Sequence, residues 1–558
     1  CIGSYLSYSL LNPAQASSTL SLSLRMRFHM RTLKRHLFRE HSVSMLLCKT
    51  RTTMKSAIMY WLLLKLFAIE SCAAFFVYPK ILESRADDST LLLHINEGFI
   101  LNLKKSSILA KDFAFTSFKD DRFDTAVLNG EELEMNLYED SRHQASVNIN
   151  ILEGTLEVRG MLNHELRIFP VDTSQRSDSG NTLHEIVKLQ SRQDRKDDIL
   201  FDALYSLNEE GSLSDRDTAA SSVLKSHTQN ETLCNDTNSD IGTPRKNTTE
   251  RSGLFTVETC IVTTEEYTCA FNTTQDLVIY LAIFLNAAAL VFHDMTNPAV
   301  RLQLNHVITN VSDNLINKTD DGVNIHTALH NMKELAEKGA FNRCDVAVLL
   351  SSEDMFRMKD NTTIEKRVMG IAYIAGVCKD HKVSVGEDMP HTYSGVLTAA
   401  HELAHLLGAD HDNSSGEYTN IPGYPGSLSC PLEDGYLMSY TGVGKKKHRL
   451  SNCSMEQIRF IYRNLSESCI QVRQQPMYTT RSYPGQNITR RQFCQTMHKG
   501  KTNPKPFQKR HKRHEDCQIK CCWKDEWTWC QEHTMTEGLV CGPGKRCRRG
   551  VCESCVQM

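Results

Sequence analysis

The stretch HELAHLLGADHD, residues 401–412, decides how the rest of this chain is interpreted. On a helix, residues four apart lie on the same face, so His401 and His405 can present their imidazoles to one metal ion. Glu402 lies one position further round the helix, where its carboxylate can reach a water molecule on that metal without binding the metal itself. The first half of the stretch therefore predicts a helix that carries two metal ligands and a general base.

The second half of the stretch predicts the third ligand. Gly408 allows the chain to leave the helix in a left-handed conformation, which costs energy in residues that have a Cβ. The resulting turn brings His411 back towards the two helical histidines. Three histidine ligands leave the fourth position of a tetrahedral ion open to water, which is typical of catalytic zinc sites. The sequence thus predicts one catalytic Zn²⁺ ion bound by His401, His405 and His411.

A pair of histidines on an amphipathic helix can also arise by chance. Here three histidines, a glutamate, a glycine and an aspartate coincide, and a second signal follows in GYLMSY, residues 435–440. Its Met438 is the turn methionine that the extended zinc-peptidase motif requires. The two signals together favour a peptidase site.

The two motifs resemble the reprolysin (adamalysin) branch of the metzincins, in which the residue after the third histidine is an aspartate, here Asp412. The resemblance implies an α/β catalytic domain with a zinc-containing cleft, in which Met438 supports the ligands and Asp412 anchors the turn. The segment GIAYIAGVC, residues 370–378, is similar to the strand beside the cleft in that family. Within the branch, the order of domains is similar to secreted metalloproteases of tick saliva.

Composition indicates a secreted protein with several domains. The chain has 558 residues, 40% of them hydrophobic, a net charge of −2 and 20 cysteines. The charge gives no indication of nucleic-acid binding. Nine cysteines lie between Cys494 and Cys555, which favours a disulfide-rich module in an oxidising compartment. Eleven N-x-S/T triplets favour a glycosylated secretory protein, and they begin at Asn230, Asn235, Asn247, Asn272, Asn310, Asn317, Asn361, Asn413, Asn452, Asn464 and Asn487.

The N-terminal segments precede the mature protein in this interpretation. Residues 1–53 are basic and nearly free of acids, which fits either an organellar transit peptide or a translated upstream leader. We favour the leader, because residues 54–74 then have the basic, apolar and small-residue order of a secretory signal peptide that begins at Met54. No stretch after the signal is predicted to span a membrane.

Residues 75–252 are predicted to be a propeptide and its connection. Alternation of apolar and polar residues up to about residue 169 predicts β-strands, and the polar stretch 172–251 predicts a flexible linker. The resemblance implies that the propeptide is inhibitory and that basic sites, such as 192–195, are cut. The resemblance also implies that a lone thiolate of the propeptide holds the zinc ion silent, and Cys234 is the candidate for this cysteine switch. A thiolate is a good zinc ligand, and the 17 cysteines from Cys234 onward are an odd number. The alternative is that Cys234 pairs elsewhere.

Residues 253–472 are predicted to be the catalytic domain. Helical spacing is present at Leu277–Phe292, Thr327–Gly339, Ser394–Leu407 and Ser454–Leu465, and strands are predicted at Phe255–Ala270 and Asp345–Leu350. The family resemblance implies two disulfides, Cys378–Cys469 and Cys430–Cys453. It also implies a calcium ion near Glu258 and Asp345, although Val472 stands where that pattern wants Asn or Asp; ordinary surface carboxylates are the alternative.

Residues 484–558 are similar to the disintegrin-like, cysteine-rich module of the ADAMTS proteases, and they contain no Arg-Gly-Asp tripeptide. The basic stretch 505–514 is a candidate glycosaminoglycan contact, with a solvated loop as the alternative. Trp523, Trp527 and Trp529 are expected in the core of the small module.

Two functions are compatible with the sequence. The first is a secreted zinc metalloendopeptidase that hydrolyses extracellular proteins; the tick resemblance implies matrix proteins, fibrinogen or fibrin and an anti-haemostatic role. The second is a binding protein whose C-terminal module blocks platelets or cell adhesion. The intact motif favours the first function.

Overall fold

The computed structural model describes four parts of the chain. We name them the N-terminal body (75–189), the cleft strand (200–204), the central domain (253–474) and the C-terminal module (483–554). The described residues are 75–85, 90–119, 122–152, 154–171, 181–189, 200–204, 253–359, 363–366, 368–439, 444–474, 483, 485–507, 517–525 and 528–554. The predicted leader and signal peptide lie outside them.

The N-terminal body is rich in β-strands, as the alternating sequence predicts. Its elements are β1 (Phe75–Val77), β2 (Lys80–Arg85), β3 (Thr90–Asn96), β4 (Phe99–Lys105), β5 (Leu109–Lys119), β6 (Arg122–Asn129), helix α1 (Gly130–Glu134), β7 (Leu137–Asp140), β8 (Ala145–Leu152), β9 (Thr155–Met161), β10 (Leu166–Pro170) and β11 (His184–Lys188). Nine strands form an antiparallel sheet in the order β1-β11-β10-β9-β8-β7-β4-β3-β2. This sheet covers a core of its own, which includes Leu93, Val147 and Ile186.

The central domain alternates strands and helices. Its strands are β13 (Leu254–Thr264), β14 (Ala299–Val311), β15 (Lys318–Thr319), β16 (Gly322–Asn324), β17 (Val346–Ser351), β18 (Met355–Lys359), β19 (Thr363–Glu365), β20 (Val368–Tyr373) and β21 (Val383–Glu387). Its helices are α2 (Glu265–Cys269), α3 (Thr274–Ala289), α4 (Asp313–Ile316), α5 (Ile325–Glu337), α6 (Val396–Leu407), α7 (Asn452–Asn464) and α8 (Glu467–Ile470), with 3₁₀ turns at Leu290–Asp294, Glu417–Thr419, Leu432–Asp434 and Gly444–His448.

The central sheet has eight strands, to which other parts of the chain contribute at both edges. With the cleft strand labelled β12 (Leu200–Leu204), the order is β12-β20-β21-β17-β13-β14-β5-β6. Strands β13, β14, β17 and β21 run parallel, whereas β20 is antiparallel to β21. Strands β5 and β6 come from the N-terminal body, so this body extends the central sheet.

The predicted helices and the strand at Asp345–Leu350 are confirmed, with ends that move by one to three residues. The strand predicted over Phe255–Ala270 is too long, because β13 ends at Thr264. The hydroxyl of Thr264 accepts a hydrogen bond from the backbone N–H of Tyr267 and thereby caps helix α2. A local capping signal therefore ended the strand earlier than the apolar pattern suggested.

The prediction of a flexible linker over 172–251 is wrong at two described places. Strand β11 pairs with β1 and β10 inside the nine-stranded sheet. Strand β12 pairs in parallel with β20. The pairing of β11 with β1 and of β12 with β20 joins strands that are distant in sequence, which composition alone does not reveal. Other parts of the linker, including Cys234 and the basic site 192–195, lie outside the described residues.

One stretch of the described chain, 274–294, is long and apolar enough to cross a membrane by length and composition alone. The prediction that no stretch after the signal is long and apolar enough to span a membrane therefore missed this one. Most of this stretch is buried inside the protein, between the N-terminal body and helix α6. We interpret it as a core helix.

The C-terminal module is small and stapled by disulfides. Its elements are α9 (Arg490–Met497), β22 (Lys505–Pro506), β23 (Gln518–Lys524), β24 (Thr528–Thr534), β25 (Val540–Gly542), β26 (Lys545–Arg548) and β27 (Val551–Ser554). Its disulfides are Cys494–Cys521, Cys517–Cys547, Cys522–Cys530 and Cys541–Cys552. The expectation that the tryptophans form its core is wrong for Trp529, which is 57% exposed on β24.

Candidate active site

Helix α6 and the turn after it bring three histidines together. His401 and His405 lie on α6 one turn apart, and both are fully buried. Gly408 ends the helix with a left-handed φ of 115°, and a Cβ there would collide with Ile461 of α7. The turn places His411 beside the other two, so that the candidate ligand atoms of the three residues all lie within 4.8 Å of one another.

Backbone carbonyls fix the orientation of the two helical imidazoles. The Nδ1 atom of His401 lies 2.9 Å from the Leu437 oxygen, and Nδ1 of His405 lies 2.8 Å from the Ala409 oxygen. Because a carbonyl only accepts, each Nδ1 must carry the proton, and each Nε2 then presents a lone pair. No sequence pattern indicates these carbonyl partners, because they depend on the path of the backbone.

The three imidazoles fit a tetrahedral metal ion. The Nε2 atoms of His401 and His411 are 3.2 Å apart. Two nitrogens bound to one zinc ion at about 2.05 Å with tetrahedral angles would lie roughly 3.3 Å apart. Burial, and secondarily the neighbouring histidines, hold the pKa of His401 and of His411 well below its usual value. Both imidazoles are therefore neutral at physiological pH, which is the form that binds a metal.

Glu402 lies beside this cluster and is fully buried. Its carboxylate packs against strand β20 at Gly370, where an added Cβ would collide with Oε1 and lie 2.9 Å from Cδ. Gly370 is thus the residue that leaves room for the carboxylate. A glycine inside a strand is a signal of close backbone approach, and Gly370 is such a signal in the strand beside the cleft.

Asp412 and Met438 connect the histidine turn to the segment beneath it. The backbone N–H of Asp412 donates to the Met438 oxygen at 2.9 Å, and Met438 is fully buried. The Asp412 carboxylate accepts from the Ser451 hydroxyl at 2.6 Å, at the start of α7. Burial raises the pKa of Asp412 to about 6 in spite of this hydrogen bond. The anchoring bond of Asp412 therefore reaches a different helix and not only its own turn.

Two disulfides bracket the site, at the positions that the family resemblance implies. Cys378, which follows β20, is bonded to Cys469 in α8. Cys430 is bonded to Cys453 in α7, and this bond closes the loop that carries Met438. A third bond, Cys260–Cys344, joins β13 to the segment that leads into β17. Cys269 is also disulfide-bonded.

The candidate calcium residues form a buried cluster that already contains a cation. The Asp345 carboxylate accepts from the backbone N–H of Glu258 at 2.9 Å. The Arg473 guanidinium is in contact with the Glu258 carboxylate and lies 3.6 Å from that of Asp345. Asn305 donates to the Glu258 carboxylate at 2.7 Å. Because arginine supplies the positive charge here, these residues do not fit a calcium ion, and we assign none.

The cleft strand β12 lies along β20, the strand that borders the site. Residues 200–204 pair in parallel with β20, and Phe201 stands opposite Gly370 in the register. Gly370 also contacts Glu402. The cleft strand therefore pairs with the strand that contacts the candidate catalytic carboxylate. Any peptide that added to this edge of β20 would have to displace it.

Other sequence-based candidates lie partly or wholly outside the described residues. Cys234 lies outside them, as does Tyr440. Of the basic stretch 505–514, the structure describes 505–507, in which Lys505 is exposed at the start of β22. These candidates remain predictions.

Comparisons with known proteins agree with the geometry. A reprolysin model of metallo-peptidase family M12 matches residues 254–452. The venom metalloproteinase antarease-like TtrivMP_A of Tityus trivittatus is 23% identical over 419 residues, covering 74% of this chain and 96% of that protein. The venom metalloproteinase antarease TserMP_A of Tityus serrulatus is 24% identical over 424 residues, with the same two coverages.

A third relative matches a shorter part of the chain. The protein of Bombyx mori described as "a disintegrin and metalloproteinase with thrombospondin motifs like" is 27% identical over 292 residues, covering 49% of this chain and 40% of that protein. These relatives are venom and insect proteins, so the narrower resemblance to tick salivary enzymes stays a prediction.

Proposed function

We propose that this chain, which belongs to the reprolysin branch of metallopeptidase family M12, is a secreted zinc metalloendopeptidase that hydrolyses extracellular proteins. The observation that carries the proposal is the cluster of three buried histidines beside a buried glutamate. Secretion is supported by the disulfides of the described chain and by the venom metalloproteinases among its relatives.

His401, His405 and His411 would hold the zinc ion. When bound, the ion supplies a Lewis acid for the scissile carbonyl and lowers the pKa of a water molecule towards about 7. Glu402 accepts a proton from the attacking water and later delivers it to the leaving amine. Leu437 and Ala409 keep the imidazoles of His401 and His405 in one tautomer through their carbonyl groups.

The substrate would lie extended along the outer edge of β20. Main-chain pairing to an exposed strand edge is a common mode of peptide recognition. Gly370 on that strand packs against the Glu402 carboxylate, so we expect the scissile bond opposite this part of β20. The cleavage preference depends on side-chain contacts beyond this edge.

The N-terminal region would act as a propeptide that keeps the enzyme latent. Its cleft strand occupies the edge of β20 that we assign to the substrate. Latency would therefore come from strand pairing, and a zinc-binding thiolate from Cys234 would add to it. Activity would require that the cleft strand leave the edge of β20.

Substrates of the matrix or of clotting, such as fibrinogen or fibrin, would suit an anti-haemostatic role in venom or saliva. The relatives with "venom metalloproteinase" in their names support this class of function. The basic stretch 505–514 would add a glycosaminoglycan contact close to matrix substrates. The exposed Trp529 on β24 favours a second candidate function, in which the C-terminal module binds a protein partner.

A digestion assay tests the proposal. The protein is secreted from Met54, processed and incubated with gelatin and with fibrinogen, with and without a zinc chelator. We expect cleavage that stops with the chelator and returns when zinc is added back. Processed, zinc-loaded protein that leaves both substrates intact, while its C-terminal module inhibits platelet aggregation, would favour the second function.

A further inference from the structure

Helix α3 is apolar on all of its sides. A helix at the surface of a domain normally keeps one polar face, whereas a helix that is hydrophobic all round is buried. In α3 the exposed residues are confined to the first turn, and every later residue except the half-buried Ile279 is buried. The sequence of this helix therefore requires protein on both of its sides.

The N-terminal body covers one of these sides. Helix α3 lies against β8, β9 and α1 of that body, and against α6 and β14 of the central domain. A Cβ at Gly160 of β9 would lie only 3.3 Å from Cγ2 of Ile283, so the β9 backbone rests directly on the helix. Phe113 and Met161 of the N-terminal body belong to the same continuous hydrophobic core as Ile283 and Phe284. The two parts of the chain thus share one core.

The buried polar residue of α3 is satisfied by the N-terminal body. The Asn286 side chain accepts a hydrogen bond from the Ser106 hydroxyl at 2.6 Å and donates one to the Ser146 hydroxyl at 3.1 Å. An amide in an apolar core is costly unless both of its ends are bonded. Because both partners come from the N-terminal body, Asn286 is matched to this body in particular.

Backbone pairing continues across the same interface. Strand β5 of the N-terminal body pairs in parallel with β14, and the Leu304 N–H donates to the Ile108 oxygen at 2.6 Å. The Thr116 hydroxyl lies 2.7 Å from Nε2 of His306, a buried residue of β14. Removal of β5 would leave β14 as an open sheet edge, which proteins generally avoid.

Charge also matches across the interface. Arg301 on β14 is stabilised by the carboxylates of Glu139 and Glu134, both buried in the N-terminal body. Glu139 is ionised in spite of its burial, because the Lys104 ammonium, 3.0 Å away, holds the pKa of Glu139 at about 2. Loss of the N-terminal body would remove both carboxylates from Arg301.

We propose that the N-terminal body stays bound to the central domain as a non-covalent subunit after the connection between residues 190 and 252 is cut. The inference rests on the proposed function, in which that connection is processed. The cleft strand β12 is a five-residue strand at the edge of the sheet, and it can leave β20 without opening the shared core. Activation then separates a removable inhibitory strand from a permanent structural subunit.

Size-exclusion chromatography of the processed full chain tests this proposal. Recognition sites for a sequence-specific protease are placed within 190–199 and 240–252, and the Glu402→Ala background prevents self-digestion. Residues 75–189 contain no cysteine, so any co-elution with the central domain is non-covalent. We expect 75–189 to co-elute with 253–558 and to separate only in denaturant. A cut fragment 75–189 that elutes alone from a folded, monodisperse 253–558 would overturn the proposal.

Two variants of α3 locate the interface. Ile283→Glu places a charge against β9 and is expected to release the N-terminal body or to prevent secretion, whereas Gln275→Glu on the exposed first turn should behave as the parent protein. If Ile283→Glu is not secreted, Asn286→Ala gives the milder test, because the loss of the buried amide pairs should weaken binding of 75–189 about tenfold or more. Unchanged binding in Asn286→Ala and Ile283→Glu would contradict the assigned interface.

Digestion of gelatin by the cut protein that retains Glu402 is scored separately. Cleavage without co-elution would support the proposed function and refute this inference. Co-elution without cleavage would support this inference and refute the proposed function.

Discussion

Gly370→Ala is expected to inactivate the enzyme without removing its zinc. Gly370 has an ordinary backbone conformation, so alanine causes no strain in β20 itself. Its new Cβ would lie 2.7 Å from Cγ2 of Thr398 and 2.9 Å from Cδ of Glu402, and would collide with Oε1 of Glu402. Because carbon atoms pack at about 3.5–4.0 Å, the Glu402 carboxylate must move by roughly 0.6 Å or more.

A displacement of this size is enough to affect catalysis strongly. Misplacement of a reacting group by about 1 Å can cost on the order of 100-fold in rate. We expect kcat/KM of Gly370→Ala to fall by about 30- to 100-fold, mainly through kcat, because Glu402 acts in the chemical step. The three histidines are untouched, so zinc content should stay at one ion per chain.

The matched control is Gly386→Ala. Gly386 stands directly opposite Gly370 in the β20–β21 pair, but its added Cβ would meet Cγ2 of Thr398 at 3.4 Å, an acceptable contact. Digestion of fluorescently labelled gelatin, zinc analysis and thermal melting are measured for both variants and the parent. Parental activity in Gly370→Ala, or an equal loss in Gly386→Ala, would refute the assigned role of Gly370.

Three further changes test other parts of the structure. Gly408→Ala forces alanine into a left-handed conformation against Ile461, so we expect a loss of about 2 kcal/mol or more in stability. In contrast to Gly370→Ala, this variant should also retain zinc more weakly during dialysis. Full zinc retention would contradict the role of the turn in placing His411. Arg473→Ala leaves two buried carboxylates without their cation and should cost about 2 kcal/mol, at the low end for such pairs because Arg473 is 44% exposed. Added calcium should leave the melting temperature of the parent protein unchanged and should partly restore that of Arg473→Ala. A parent protein whose melting temperature rises with calcium would contradict our assignment. Burial lowers the pKa of His306 from 6.5 to about 4, so the neutral imidazole contributes up to about 3 kcal/mol to the free energy of unfolding. This contribution is fully present above pH 6.5 and is lost as the pH falls towards 4. His306→Gln should therefore flatten the pH dependence of urea unfolding over that range, and an unchanged slope would contradict the shift.

The sequence predicted the arrangement of the candidate site residues better than it predicted their surroundings. The ligands, the base and the glycine turn follow from local spacing on one helix, which a repeat of 3.6 residues determines almost alone. Helix ends were displaced by a few residues because capping residues such as Ser451 and Thr273 lie just outside the apolar pattern. The arrangement of the candidate site residues could therefore be predicted from twelve consecutive residues.

Features that depend on distant partners were not predictable in the same way. Arg473 and Glu258 meet across 215 residues, and no local pattern marks an arginine that takes the place of a bound cation. Strand β12 looked like linker because five residues in a polar stretch form a strand only when an edge such as β20 is available. Trp529 was assigned to a core because a small module has few large side chains, yet its position on an edge strand leaves it exposed.

The sequence predicts α3 as a helix, and the apolar character of all its sides is a second signal, which indicates burial on all sides. That pattern was the one sequence signal for the shared core with the N-terminal body. A helix that cannot face water on any side predicts a second partner even when the partner cannot be named.

A comparison of the processed parent protein with Glu402→Ala at equal zinc content decides whether Glu402 is the catalytic base. Zinc bound per chain, the melting temperature and gelatin digestion are measured on the same preparations. We expect one zinc ion and the same fold in both proteins. Digestion by Glu402→Ala should be lower by a factor on the order of 1,000 or more, because a general base and its proton delivery are removed. Undiminished digestion by zinc-loaded Glu402→Ala would contradict this expectation, because the buried carboxylate beside the three histidines would then not be the catalytic base.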